Sequence, residues 1–213
     1  GGTAGSSYQS TVFYARLNSD GSLGTFTTNS NYLPGLRGQQ TSMAANGYIY
    51  VIGGLTSGTA TQSTVLYARL NSDGSTGTWT TNSSYLLTAR QAASSVIANG
   101  YVYVVGGSSD GTNAQSTIYY GKLNSDGSVG AFTANSNYLS SGRGNPTSII
   151  ANGYLYVVGG TDGTNYQSTL LYALLNSDGS LGSWTTNSSY LPAKLGIHSS
   201  VVANGYVYAM GGY

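Results

Sequence analysis

The chain is built from copies of itself. The segment ANGYIYVIGG, beginning at Ala45, returns as ANGYVYVVGG from Ala98, ANGYLYVVGG from Ala151 and ANGYVYAMGG from Ala203, at spacings of 53, 53 and 52 residues. A second block, QSTVFYARLNSDGS from Gln9, recurs in closely similar form from Gln62, Gln115 and Gln167. A repeat of this length limits the chain to architectures in which each unit is one supersecondary element stacked on its neighbours.

Each unit reads as four short strands. Asn46-Gly47, Asn99-Gly100, Asn152-Gly153 and Asn204-Gly205 stand between apolar or alternating runs, the strongest short-range hairpin signal because both turn residues take φ > 0. A third strand (63–70 in the second block) leads through NSDGS to a fourth, GTWTTN, and the Asp-Gly of that turn suits a slightly longer hairpin. In the second strand Tyr101, Tyr103 and Val105 point to one face and Val102 and Val104 to the other, so both faces are apolar and need cover. Radial stacking of four-stranded antiparallel sheets supplies it.

The units resemble the kelch repeat. A strand ends Tyr-x-x-Gly-Gly at 50–54, 103–107, 156–160 and 208–212; the third strand carries Tyr14, Tyr67, Tyr120 or Tyr172; the fourth carries Phe26, Trp79, Phe132 or Trp184; and Arg37, Arg90 or Arg143 opens the following unit. Two features depart from the pattern: a longer gap between third-strand Tyr and fourth-strand Trp, and Leu195 where a fourth Arg is due. The resemblance implies an all-β fold: a β-propeller of four kelch-like repeats across residues 1–213, with four antiparallel strands per blade and full repeats at about 34–86, 87–139 and 140–191. Residues 1–33 would supply strands three and four of a closing blade and 192–213 its strands one and two, the two ends sharing a sheet. The same halves could pair between chains into an eight-bladed dimer.

Composition narrows the function. Charged residues are 6% of the chain, against about 25% in ordinary domains. The surface is therefore wetted by Ser, Thr, Asn, Gly and Tyr, as suits a secreted or cell-surface protein. Seven Lys and Arg against six Asp lack the basic footprint of nucleic-acid binding. No run is long and apolar enough for membrane insertion as a helix. Without Cys and with one His there is no disulfide, zinc-thiolate or histidine metal cluster, and neither metal nor cofactor is expected. The copper radical chemistry of galactose oxidase, a kelch-like enzyme, needs a Cys-modified Tyr and more than one His. The chain opens at Gly1, as expected of a processed product or an excised piece, with any targeting signal outside it.

The repeats treat their two ends differently. The hairpins ANG and NSDGS are the same throughout, whereas GLRGQQ, TARQAA, SGRGNP and KLGIHS, and the loops TAGSSY, LTSGTAT, SSDGTNA and TDGTNY, vary. Repeat proteins place ligands on such variable loops. The candidates are Arg37, Arg90, Arg143, Lys194 and His198 near a channel mouth, Gln39, Gln40 and Asn145 beside them, and Asp110, Asp162, Tyr8 and Tyr166 farther out. The cations suit an acidic sugar, since Arg grips carboxylates bidentately; equally, an Arg repeated at one register suits a structural role between blades. The turn residues Asp20, Asp73, Asp126 and Asp178 offer one carboxylate per loop, too few for calcium. No catalytic residue is expected. The sequence points to a non-enzymatic binding or assembly module taking protein or glycan, with self-association through half-blades; the alternatives are a structural or amplified repeat scaffold without ligand, and a glycan hydrolase using Asp110 and Asp162.

Overall fold

The computed structural model describes residues 1–5 and 7–213; Ser6, inside the 3–8 loop, lies outside the described residues. The fold is all-β. Its strands are β1 (Gly2–Ala4), β2 (Ser7–Gln9), β3 (Phe13–Tyr14), β4 (Thr27–Thr28), β5 (Thr41–Ala45), β6 (Tyr48–Ile52), β7 (Val65–Arg69), β8 (Thr80–Thr81), β9 (Ser94–Ala98), β10 (Tyr101–Val105), β11 (Ile118–Lys122), β12 (Thr133–Ala134), β13 (Thr147–Ala151), β14 (Tyr154–Val158), β15 (Leu170–Leu174), β16 (Thr185–Thr186), β17 (Ser199–Ala203) and β18 (Tyr206–Met210). Three complete antiparallel blades form in sequence order, β5–β8, β9–β12 and β13–β16. The pairs β3–β4 and β17–β18 are half-blades.

Local chemistry explains the hairpins. Asn99 and Gly100 have φ of 51° and 78°, the left-handed pair that lets β9 and β10 meet in direct register from Tyr101 opposite Ala98 to Val105 opposite Ser94. In the longer turn Asp73 Oδ1 accepts from Ser75 N at 2.9 Å and Ser75 Oγ at 2.6 Å, an arrangement repeated by Asp20, Asp126 and Asp178. Against expectation, the fourth strand is only two residues long, because the chain leaves the ladder after the single bridge Leu70–Thr76 and rejoins at Thr80.

The blades bury their faces on one another. Tyr50, Ile52 and Val65 of the first pack with Val102, Val104, Tyr119 and Phe132 of the second, and Tyr103, Val105 and Ile118 of the second with Leu155, Val157, Leu171 and Leu181 of the third. Strand two thus feeds two cores, one on each side. Side-chain amides lock the seams: Asn82 donates to Val129 O at 2.8 Å and accepts from Val129 N at 2.9 Å, and Asn135 accepts from Leu181 N at 3.0 Å. The Tyr48 ring lies over Gly127 and the Tyr101 ring over Gly179, where an added Cβ would stand 2.5 and 2.6 Å from ring carbons.

The closing blade is not formed. Among the described residues no ladder joins β18 to β3, and the expected sharing of one sheet by the two ends gives way to two separate half-blades. Tyr208, the counterpart of the fully buried Tyr50 and Tyr103, is 46% exposed, and Phe13 is 59% exposed. Ahead of the first half-blade, Gly2–Ala4 pairs with Ser7–Gln9 in a small hairpin of its own. The equivalent loops of later repeats reduce this hairpin to the single bridges Leu55–Thr61, Ser108–Ala114 and Thr161–Tyr166.

Candidate binding face

The antiparallel order puts the Asn-Gly and Asp-Gly turns at one end of each blade and the variable loops at the other. On the variable end the Gly-Gly pairs receive the neighbouring repeat. Gly54 N donates to Arg90 O at 2.7 Å, Gly107 N to Arg143 O at 2.7 Å and Gly160 N to Leu195 O at 2.8 Å. A Cβ on Gly53 or Gly106 would collide with the carbonyl oxygen of Arg90 or Arg143. The glycines are therefore the seats into which the loop before each first strand is bonded.

The three arginines turn inward. Arg37, Arg90 and Arg143 are 6%, 2% and 2% exposed. Arg90 donates to Ala89 O at 3.0 Å, Thr117 Oγ1 at 2.6 Å and Tyr119 OH at 3.0 Å, with its guanidinium 4.8 Å from the Tyr119 ring centre. Arg37 and Arg143 reach Thr64 and Thr169 in the same way. Each guanidinium ties the loop before strand one to the start of strand three in its own blade. None is displayed toward a ligand at the mouth, and only Lys194 of the expected cations lies exposed there.

What the mouth does display is neutral and polar. A cavity of about 220 Å³ on the arc axis is lined by Gln39, Gln40, Ala92, Ala93, Asn145, Pro146, Ile197 and His198. Gln39, Ala92, Asn145 and Ile197 occupy one repeat position, and all four adopt left-handed φ between 47° and 54°. That conformation is costly for a β-branched residue such as Ile197. It lets Ala92 N donate to Gln39 O and Asn145 N to Ala92 O, at 2.9 and 2.8 Å, stitching the mouth through the backbone. His198 Nε2 pairs with Thr147 Oγ1 at 2.9 Å. Its Nδ1, like Gln40 Oε1, is buried without a partner among the described residues. Burial holds the His198 imidazole below its ordinary pKa, in the neutral form.

The outer candidates are occupied locally. Asp110 accepts from Thr112 N at 2.9 Å, Asn113 N at 2.8 Å and Asn113 Nδ2 at 2.6 Å; Asp162 accepts from Thr164 N, Asn165 N and Gln167 Nε2. These bonds, the backbone amides of Asn113 and Asn165 foremost, hold both carboxyls well below the usual range. A glycosidase acid requires the opposite shift. The rings of Tyr8 and Tyr166 lie on Gly38 and Gly196, where a Cβ would strike ring carbons. Tyr166 keeps 38% of its surface exposed. Sequence reasoning missed the seam residues Asn82 and Asn135 and the buried Gln91; their signal was the repeat alignment, in which the asparagines recur and Gln91 stands alone among Gly38, Gly144 and Gly196.

No known family's sequence profile matches the chain, and no curated protein matches it. Solved structures do. The structure of YjhT superposes with a TM-score of 0.71 over 97% of this chain and 75% of that one, at 13% sequence identity. At that identity the likeness speaks for the fold alone: all-β and propeller-like.

Proposed function

We propose that this chain is a non-enzymatic kelch-like propeller module of an exported or surface protein, binding a glycan or protein through its variable-loop end. The observation that carries the reading is the axial mouth, a cavity that Gln39, Gln40, Asn145 and His198 line with polar side chains. Carboxamides and an imidazole around a concave mouth supply both donors and acceptors for a ligand. The low charge suits contacts made by amides, hydroxyls and Tyr with little electrostatic steering. The test is a glycan and peptide array probed with the wild type, Gln40→Ala and His198→Ala. A ligand whose signal falls at least tenfold in both variants, at unchanged melting temperature, supports the module; a wild type that captures nothing, or variants that bind as the wild type does, overturns it.

A second reading is assembly, favoured by the exposed half-blades β3–β4 and β17–β18, each of which carries the strands that the other lacks. The two readings are compatible, since the half-blades and the variable loops are different surfaces.

A further inference from the structure

A second cavity, of about 160 Å³, opens off the axis on the variable end between the second and third complete blades. Its origin is a difference between repeats. At two seams an aromatic ring lies on a glycine, Tyr8 on Gly38 and Tyr166 on Gly196. At the equivalent seam between these blades the glycine is kept as Gly144, but the residue at the ring position is Ala114, whose Cβ stops 3.8 Å from where a Gly144 Cβ would stand. The space of the missing ring is the cavity. Gly142 maintains it, because any Cβ there would collide with the Ala114 carbonyl that the loop brings in.

Into that space the chain places amides. Gln91 replaces the glycine of the other three repeats and is 4% exposed. Its backbone bonds to Ser108 in both directions, and the residue lines the cavity. Gly111, at φ 92°, leaves it room: the Gln91 Nε2 atom lies 3.0 Å from where a Gly111 Cβ would be. Gln39 and Asn145 add two more carboxamides, and Ser108, Thr112 and Thr161 add hydroxyls. Among the described residues no charged side chain lines the cavity, while Asp110 lies between the lining residues Ser108 and Gly111 in sequence and Asp162 follows the lining residue Thr161.

From these features we infer that the Gln91 cavity is a binding site for a neutral, polyhydroxylated ligand of single-sugar size, such as the terminal residue of a neutral glycan. Carboxamides both donate and accept, which matches hydroxyls in either role. The two neighbouring carboxylates oppose an anionic ligand. The volume lies below the roughly 300–1,000 Å³ of drug-sized sites and suits one ring better than an extended chain. The inference rests on the binding-module reading and gives it a second, off-axis site and a ligand class.

The test uses the whole chain labelled with ¹⁵N and titrated with methyl glycosides of glucose, galactose, mannose and N-acetylglucosamine, with glucuronate and N-acetylneuraminate as acidic counterparts. At least one neutral glycoside is expected to shift the side-chain amide signals of Gln91 and Asn145 saturably. Ala114→Tyr, which restores the ring found at the equivalent seams, should weaken that binding at least tenfold, and Gln91→Gly, which restores the repeat's own residue, should do the same. Binding of the acids as tight as that of the neutral sugars overturns the inference, as does unchanged affinity in either variant or the absence of any shift at Gln91. A glycan that moves Gln40 and His198 signals but not Gln91 removes this site and leaves the axial module standing.

Discussion

Arg90 shows what one side chain does when a repeat fixes its address but not its direction. Its recurrence at 37, 90 and 143 is plain in the sequence, yet the same spacing serves an arginine aimed at a ligand or one folded back on its own blade. The deciding partners, Thr117 just before β11 and Tyr119 within it, lie 27 and 29 residues away. Arg90→Ala removes three charge-assisted hydrogen bonds and one aromatic contact in a buried site, and a loss of about 2–4 kcal/mol is expected, read by chemical denaturation. The seam amides give a sharper contrast: Asn82→Ala orphans the buried Val129 N–H and should cost about 1–3 kcal/mol, whereas Asn187→Ala, whose counterpart seam is open and whose amide reaches only Ser189 O, should stay within about 0.5 kcal/mol. His198 sets the pH response. Its folded pKa lies below the ordinary 6.5, so the unfolded chain takes up a proton first; stability is full above pH 6.5 and falls as pH drops below it toward the folded value. The turn carboxylates, held below 3.8 by Ser hydroxyls and amides, lose their contribution only at more acidic pH. Melting temperatures between pH 7.5 and 5 should decline in the wild type and stay flatter in His198→Gln.

The elements were legible where their cause is local. Asn-Gly turns, alternating second strands and the Asp-Gly hairpins all follow from a few adjacent residues, and the structure has them in place. The fourth strand is shorter than the sequence predicts because its pairing is decided by the path of the chain through residues 71–79, which strand propensity does not describe. The small hairpin at Gly2–Gln9 was missed because a Gly- and Ser-rich run reads as loop. The Gly-Gly ends of the second strands could be recognised by their repetition, but the reason for them is an inter-blade contact. That reason makes a prediction. Gly153→Ala, at a turn with φ 80° and open space around the Cβ, should cost about 1 kcal/mol from conformation alone. Gly106→Ala adds a collision with the Arg143 carbonyl that seats the third blade on the second, so its loss in thermal denaturation should be several times larger.

At the scale of the molecule, the sequence indicates which half-blades belong together, while the structure leaves them apart. The propeller-like stacking was readable because every unit carries both apolar faces; closure was not, because the curvature of the arc depends on wedge angles between blades that no motif encodes. The register of the second blade pairs Tyr101 with Lys122, Tyr103 with Tyr120 and Val105 with Ile118. Carried through the repeat, that register pairs Tyr206 with Arg16, Tyr208 with Tyr14 and Met210 with Val12. The same translation would set Tyr154 over Gly21, which now has nothing within 4 Å, and bring Asn187 to Leu23, which is 58% exposed. Each of these contacts thus has its complement on the first 33 residues, and a head-to-tail second copy supplies them at once. Burying side chains such as Val207, Tyr208 and Met210 is worth about 1.5–3 kcal/mol each, ample to offset the ordering of a short edge. The isolated 213-residue chain is therefore expected to scatter light as at least twice its 21.9 kDa at micromolar concentration. Val207→Lys with Tyr208→Lys, which sets charges on both faces of that strand, should return it to a single chain without melting the complete blades. A wild type that stays at 21.9 kDa at every concentration would exclude pairing between copies.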